Sequence, residues 1–443
     1  MKATRRTMST GEARSRTRWT KRRSGAGAVV GAGAALLMAT GGVAASAASV
    51  TPHRSTGHAS SVTITEQDYY TAADSTYMTQ FLSGFHKANP GYTVSRDVVP
   101  NGSLLSKELT EASAGQMPDL MMMDNPWVPS LASAGELMPL SKFGFTSNGL
   151  TEGAVAAGTY RGKLYGIGFG NNTIGLFYNK KLLSAAHVTP PRTWAQLAVD
   201  AKKLTKNGVY GYGFAAGTNN NAAWQFEPYF WTAGGNLTQV NDAGGVKALS
   251  FVASLVKDGS APSAVVNWGQ NNVAQEFMDG KLAMIVMGPW EFPDFSAVKG
   301  LSYGIVPIPT PSASGHANVP LGGEVFTIPK TTPANEALAA KVLRYLISPQ
   351  NTLLWAKNNG EVASQRSVAN QLIAAVPLDR VFADEIQHAE SRVGVVGSAY
   401  PAISSALTTA IQEAVLGKVT PSAALTTAET AVKAALAQSK SGS

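Results

Sequence analysis

The sequence predicts an α/β protein of two lobes, and three observations carry that expectation. From Val62 onward, short apolar runs of strand length alternate with segments of helical period. Strands and helices in alternation are the pattern of layered α/β architecture. The roughly 380 residues beyond the leader are too many for one hydrophobic core, so two are expected.

Residues 1–23 contain nine basic residues and one acid, Glu12. An uncharged Ala/Gly-rich run follows from Ser24 to Val50 and contains Ala45-Ser46-Ala47, a small-x-small cleavage pattern. Residues 1–47 therefore read as a bacterial export signal cut after Ala47, with an uncleaved anchor as the alternative. The Gly and Ala content speaks against the anchor, because such a run spans a membrane poorly. Residues 48–61 are small and polar, as in a flexible tether.

Strands are expected at Val62–Thr65, Thr93–Val99, Leu120–Met123, Leu282–Met287, Tyr303–Ile308 and Val325–Ile328. Thr193 to Gln196 reads as a capping box opening a helix with Leu197, Ala201 and Leu204 on one face. Val246, Leu249, Val252 and Val256 form a second helical stripe, and Leu338, Val342, Leu343 and Leu346 a third. The Ala/Thr-rich segment 402–437 is expected to be mostly helical, with 438–443 a disordered tail.

The net charge of +8 belongs to the leader. Past residue 23 the chain carries 27 residues of each sign. No basic block remains to bind phosphate, so nucleic acid is not an expected partner. The chain has no cysteine, which removes disulfides, thiolate metal sites and thiol nucleophiles. Six scattered histidines show no metal-ligand spacing, and no phosphate-binding loop motif occurs. No cofactor and no metal are expected.

One enzyme motif is present: Gly300-Leu-Ser302-Tyr-Gly304 matches Gly-x-Ser-x-Gly, with Asp379 or Asp384 and then His388 in triad order. A nucleophile elbow needs a strand before the serine and a helix after it. Here the strand pattern follows the serine, and Pro307, Pro309 and Pro311 forbid a helix.

Aromatic residues gather in turn-like places beside amides and carboxylates. Tyr69 and Tyr70 lie close together, Asp124 precedes Trp127, Glu227 sits by Tyr229, Asn267 by Trp268, and Glu291 by Trp290; Trp224 stands among amides. Sugars offer apolar C–H faces and a fringe of hydroxyls, and such an inventory suits both. Trp194 and Trp355 are assigned to packing. A cation site would draw clustered acids and an anion site clustered arginines; the neutral, amide- and Trp-rich inventory matches neither.

Nine segments in order carry a family resemblance. They are Met117–Asp124, Leu131–Leu137, Tyr160–Gly166, Leu176–Lys180, Pro191–Trp194, Glu227–Phe230, Gly280–Met284, Gly288–Glu291 and Leu321–Glu324. Over essentially the whole mature chain the sequence resembles the extracellular solute-binding proteins of ABC sugar importers, the maltose/maltodextrin-binding-like group. The resemblance implies a two-lobe periplasmic-binding-protein-like fold of class II type, with a hinge and a ligand cleft between lobes. Lobe 1 would comprise 62–170 plus 326–372, and lobe 2 173–322 plus 378–437. Crossings would fall near 170–173, 322–326 and 371–378.

By the same resemblance, Trp290 matches the principal sugar-stacking ring, Glu227 and Tyr229 cleft contacts, and Asn172 a hydroxyl ligand. Asp124 and Trp127 follow a strand end, the crevice position of open α/β sheets. Tyr70, Trp268, Gly323, Glu324 and Arg366 complete the candidate set; for Glu324 and Arg366 an interlobe or turn-stabilising role is an equal alternative. The implied protein is a monomer that hands a di- or oligosaccharide to permease subunits and performs no catalysis. The alternatives are a secreted glycoside hydrolase or the same scaffold with a non-sugar solute. A hydrolase needs two carboxylates about 5–10 Å apart across one bond, and the sequence pairs none of Glu227, Glu291 and Glu324 in that way. Gram-positive relatives usually carry a lipidated cysteine at the cleavage site, which this chain lacks. It is expected outside the cell or within the cell envelope.

Overall fold

A computed structural model describes residues 62–218, 221–375 and 378–441. The expected export signal and tether lie outside the described residues.

Two sheets, each with its own hydrophobic core, organise the chain. The first has five strands in the order 92–98, 62–68, 120–124, 324–327, 166–167. Its first three strands are parallel, with Val62 opposite Tyr92 and Glu66 opposite Leu120. Helices Ala72–Ala88 and Asn101–Ala114 make the crossovers that parallel pairing requires. Strand Leu120–Asp124 is buried throughout its apolar part, which is why it reads as an unbroken Leu-Met-Met-Met run. Strand Glu324–Thr327 returns antiparallel to it, placing Glu324 opposite Asp124.

The second sheet is antiparallel, with Gly175–Asn179 between Tyr303–Val306 and Met284–Met287. All six strands expected from the pattern are present, with ends shifted by up to three residues. The first core gathers buried residues from 64–169 and 321–355; the second gathers those from 174–319 and 396–435. The chain passes between them twice side by side. Asn172 and Gly322 exchange backbone bonds at 3.3 and 2.8 Å, and Thr173 Oγ1 donates to the Pro320 carbonyl at 2.8 Å. Gly323 has φ +112°, and a Cβ there would fall 2.8 Å from the Gly170 carbonyl oxygen, so only glycine fits where the two passages meet.

The capping box forms: Thr193 Oγ1 accepts from Gln196 N at 3.2 Å, and Gln196 Oε1 accepts from Thr193 N. Leu338, Val342, Leu343 and Leu346 are all buried on helix Pro333–Leu346. The C-terminal segment is a helix pair, Tyr400–Val415 and Pro421–Ser441, laid over the second core. Residues 438–441, expected as disordered tail, instead continue this last helix, which carries its Ala-rich pattern to Ser441. Gly-x-Ser-x-Gly lies where its sequence context placed it, with the strand beginning at Tyr303, after the serine. The side chains of Asp379 and His388 lie outside the described residues.

Candidate functional site

The site begins at the paired chain passages. Asp124 ends its strand there, and the peptide N–H of Asn125 donates to the Gly323 carbonyl at 3.3 Å. Arg392 reaches in from the segment preceding the C-terminal helices. Its guanidinium donates to Asp124 through two nitrogens (2.9 and 3.3 Å) and to Asn125 Oδ1 at 2.8 Å. The same group lies 4.4 Å from the Trp224 ring and 5.6 Å from that of Tyr400. Asp124 belongs to the first sheet, whereas Trp224 and Tyr400 belong to the second core. One buried side chain therefore spans the two. Burial draws the Arg392 pKa down, but Asp124, Tyr400 and Glu227 together more than offset it, and the guanidinium stays charged.

Below Arg392 lies Glu227, fully buried, its Oε1 accepting from the Tyr400 hydroxyl. Burial pushes its pKa up to about 7, against the opposing pull of Arg392.

A wall of rings rises from the end of the first strand. Tyr69 and Tyr70 meet edge to face at 5.6 Å, Tyr70 meets Trp355 at 4.6 Å, and Trp355 stacks on Phe169 at 4.5 Å. Carboxylates are interleaved with these rings. The Tyr69 hydroxyl donates to Glu324, and Trp355 Nε1 donates to Glu361 at 2.8 Å. Asn172 Nδ2 donates to the other Glu361 oxygen at 3.3 Å. Burial, then the neighbouring charge (Asp124 on Glu324, Glu324 on Glu361), raises the pKa of both acids.

Opposite stands the Gly288-Pro-Trp-Glu turn. A methyl on Gly288 would fall 2.0 Å from the Trp290 indole, so glycine is what allows the ring to fold over its own turn. Glu291, next in sequence, is 6% exposed, and burial with the charges of Asp294 and Asp74 raises its pKa to about 8. Asp74, from the start of the first helix, is itself raised to about 6, chiefly by burial. The turn meets the end of helix Pro349–Asn359: a Cβ on Gly360 would lie 2.6 Å from Phe292 and 2.7 Å from Pro289.

Of the residues expected at a site, Asp124, Asn172, Gly323 and Glu324 come together at the passages, with Tyr70 in the adjoining wall. Trp290 is part-buried between the second core and its satellite cluster. Others are placed differently. Tyr229 is 1% exposed, its hydroxyl bonded to that of Tyr212 at 2.7 Å and its ring packed on Trp194 and Phe251; the helix turns it inward. Glu227 lies beneath Arg392 rather than at a surface. Trp127 is buried in the first core, and Trp268 packs partly buried against the second. The Arg366 side chain is 59% exposed; its Nε donates to the Leu150 carbonyl at 2.8 Å, a turn-stabilising contact.

Asp74, Glu361 and Arg392 escaped sequence reasoning. Arg392 had a faint signal, a single charge ahead of an uncharged run from Val393 to Gln412. The acids, spread along the sequence at 74, 124, 291, 324 and 361, are neighbours in space, contrary to the neutral inventory that composition suggested.

Comparison with known proteins agrees with this architecture. A maltooligosaccharide ABC transporter solute-binding lipoprotein of Streptococcus pneumoniae is 29% identical over 276 residues, 58% of this chain and 62% of that one. An ABC transporter solute-binding protein of Thermotoga lettingae, solved with α-D-tagatose bound, superposes with a TM-score of 0.77 at 25% identity, covering 85% of this chain and 100% of the other. The GacH receptor of Streptomyces glaucescens, solved unliganded and with acarbose, gives 0.76 at 25% identity over 85% of this chain and 98% of its own. The family model described as bacterial extracellular solute-binding protein matches residues 80–379. Two cores joined by paired passages, with polar groups and rings converging where they meet, are thus the architecture of a known family: the chain belongs to the bacterial extracellular solute-binding proteins.

Proposed function

We propose that this chain captures a di- or oligosaccharide outside the cytoplasm and delivers it, unaltered, to the permease subunits of an ABC transporter. The observation that carries this reading is the meeting of rings and hydrogen-bonding groups from two separate cores at one place. Trp290 and Glu291 come from the second, and Tyr69, Tyr70, Asp124, Glu324 and Glu361 from the first and its adjoining turns. Flat rings suit the C–H faces of a pyranose, and carboxylates and amides suit its hydroxyls. A ligand touching both lobes favours the closed arrangement by the contacts that only closure completes. The relatives that bind maltooligosaccharide, tagatose or acarbose support the same ligand class. Lobe 1 is proposed as 62–170 plus 326–372 and lobe 2 as 173–322 plus 378–437, with residues 1–47 as the export signal.

A thermal-shift panel of di- and oligosaccharides on the purified protein tests this. At a hundredfold excess over Kd, the matching sugar should add about 2.7 kcal/mol of stability, and chromatography should return it uncut. A panel with no shift contradicts sugar capture. Released monosaccharide favours a glycoside hydrolase.

A further inference from the structure

Strand Gly175–Asn179 starts just after Thr173 at the paired passages and runs to the opposite end of the second sheet. There the fold gathers five segments: 180–187, 199–210, 257–260, 276–281 and 299–302. The peptide N–H of Lys180 donates to the Ser302 carbonyl at 2.8 Å, and Lys181 Nζ to that of Gly300 at 2.9 Å. Lys203 Nζ reaches the His187 carbonyl at 3.4 Å, and Lys202 Nζ that of Asp258. The Tyr210 N–H donates to the Lys281 carbonyl at 2.9 Å and closes the group.

The five segments hold eight lysines, every one exposed, and no arginine. Four acids stand against them, and two of those, Glu276 and Asp279, share Lys281 at 3.2 and 2.9 Å. The other seven lysines make no ion pair among the described residues. Lys181, Lys202 and Lys203 donate to carbonyls instead, which leaves their charge uncompensated. No segment holds more than three lysines, so the excess of positive charge arises only when the segments fold together.

A lysine ammonium is a compact charge on a flexible stem, without the fork by which arginine grips a single phosphate. Such charges, set on helix ends and turns, suit a partner surface whose negative groups are many and mobile. Val199 and Tyr210, 67% and 38% exposed, stand among them. Tyrosine is a side chain that settles at the headgroup level of a bilayer, and each lysine near an anionic leaflet strengthens attachment. We infer that this end of the second core docks on a membrane surface rich in anionic lipid. The Trp290 turn follows Met287, which pairs with Gly175 at the other end of the sheet. Docking therefore leaves the cleft clear and is independent of the ligand it takes.

Vesicle co-sedimentation of the purified protein tests this, with phosphatidylcholine alone and mixed with phosphatidylglycerol. Two triple variants remove equal charge from exposed positions. One carries Lys180→Gln, Lys206→Gln and Lys299→Gln at the lysine-rich end; the other carries Lys87→Gln, Lys163→Gln and Lys330→Gln around the first core. Any contribution of the basic residues 1–23 is common to all three proteins. The wild type and the first-core variant should bind the anionic vesicles alike, ignore the neutral ones, and release with added salt. The variant of the lysine-rich end should bind about tenfold or more weakly. No binding to anionic vesicles would overturn the inference, as would equal binding to neutral ones or equal loss in both variants. Soluble polyphosphate is titrated alongside: a protein that holds it through the same lysines but ignores vesicles has a polymer site and no membrane face.

Discussion

A guanidinium stacked on an indole and forked onto a carboxylate is held from two directions, and at Arg392 the two directions belong to different cores. Removing Arg392 leaves the part-buried Asp124 uncompensated and takes the counter-charge from the fully buried Glu227. Arg392→Gln should therefore cost about 3–5 kcal/mol, read as a fall in the urea midpoint. A variant that melts like the wild type would mean that Asp124 finds water instead. Tyr229→Phe separates interior from cleft. It strands the Tyr212 hydroxyl and should cost about 1–3 kcal/mol, while leaving sugar affinity unchanged; a large loss of affinity would return Tyr229 to the site. Sequence could not distinguish these cases. Glu-Pro-Tyr-Phe names residue types, but which face of a buried helix each occupies depends on packing. Trp290 was more legible, because glycine two residues ahead is what its folded-back ring requires.

Elements were legible where local chemistry fixes them. Six strands announce themselves by short apolar runs and the helix at Trp194 by its capping box, whereas Gly175–Asn179, the middle strand of the second sheet, was missed. Thr193→Ala removes the side chain that satisfies Gln196 N, with an expected cost of about 1 kcal/mol by denaturant melting; no measurable loss would show that Gln196 alone suffices. Helix Asn221–Thr232 was hidden. Pro228 sits inside it, and ten consecutive residues, Ala222 to Trp231, are buried, so neither periodicity nor breaker rules reveal it. Its burial on all sides is imposed by the second sheet and the C-terminal helices, both distant in sequence.

At the scale of the whole molecule, the acids share one linkage. Asp74, Glu227 and Glu291 have folded-state pKa values of about 6, 7 and 8, above their ordinary values near 4. The folded protein then keeps protons that the unfolded chain has released. Their contribution to stability is fully present below about pH 4 and is lost as pH rises through 6 to 8. Without ligand, the melting temperature should fall between pH 5 and 8; a rise over that window would contradict the burial of these groups. The grouping was invisible in sequence because two lobes must fold and meet before residues 74 and 291 are neighbours.

On the function proposed above, one saccharide is clamped between rings and polar groups of two lobes. Isothermal titration of the wild-type protein and of Trp290→Ala, using the best sugar from the thermal panel, tests it most directly. The prediction is one site per chain for the wild type, and no detectable heat for a variant that still melts cooperatively. Equal affinity in the two proteins would contradict it.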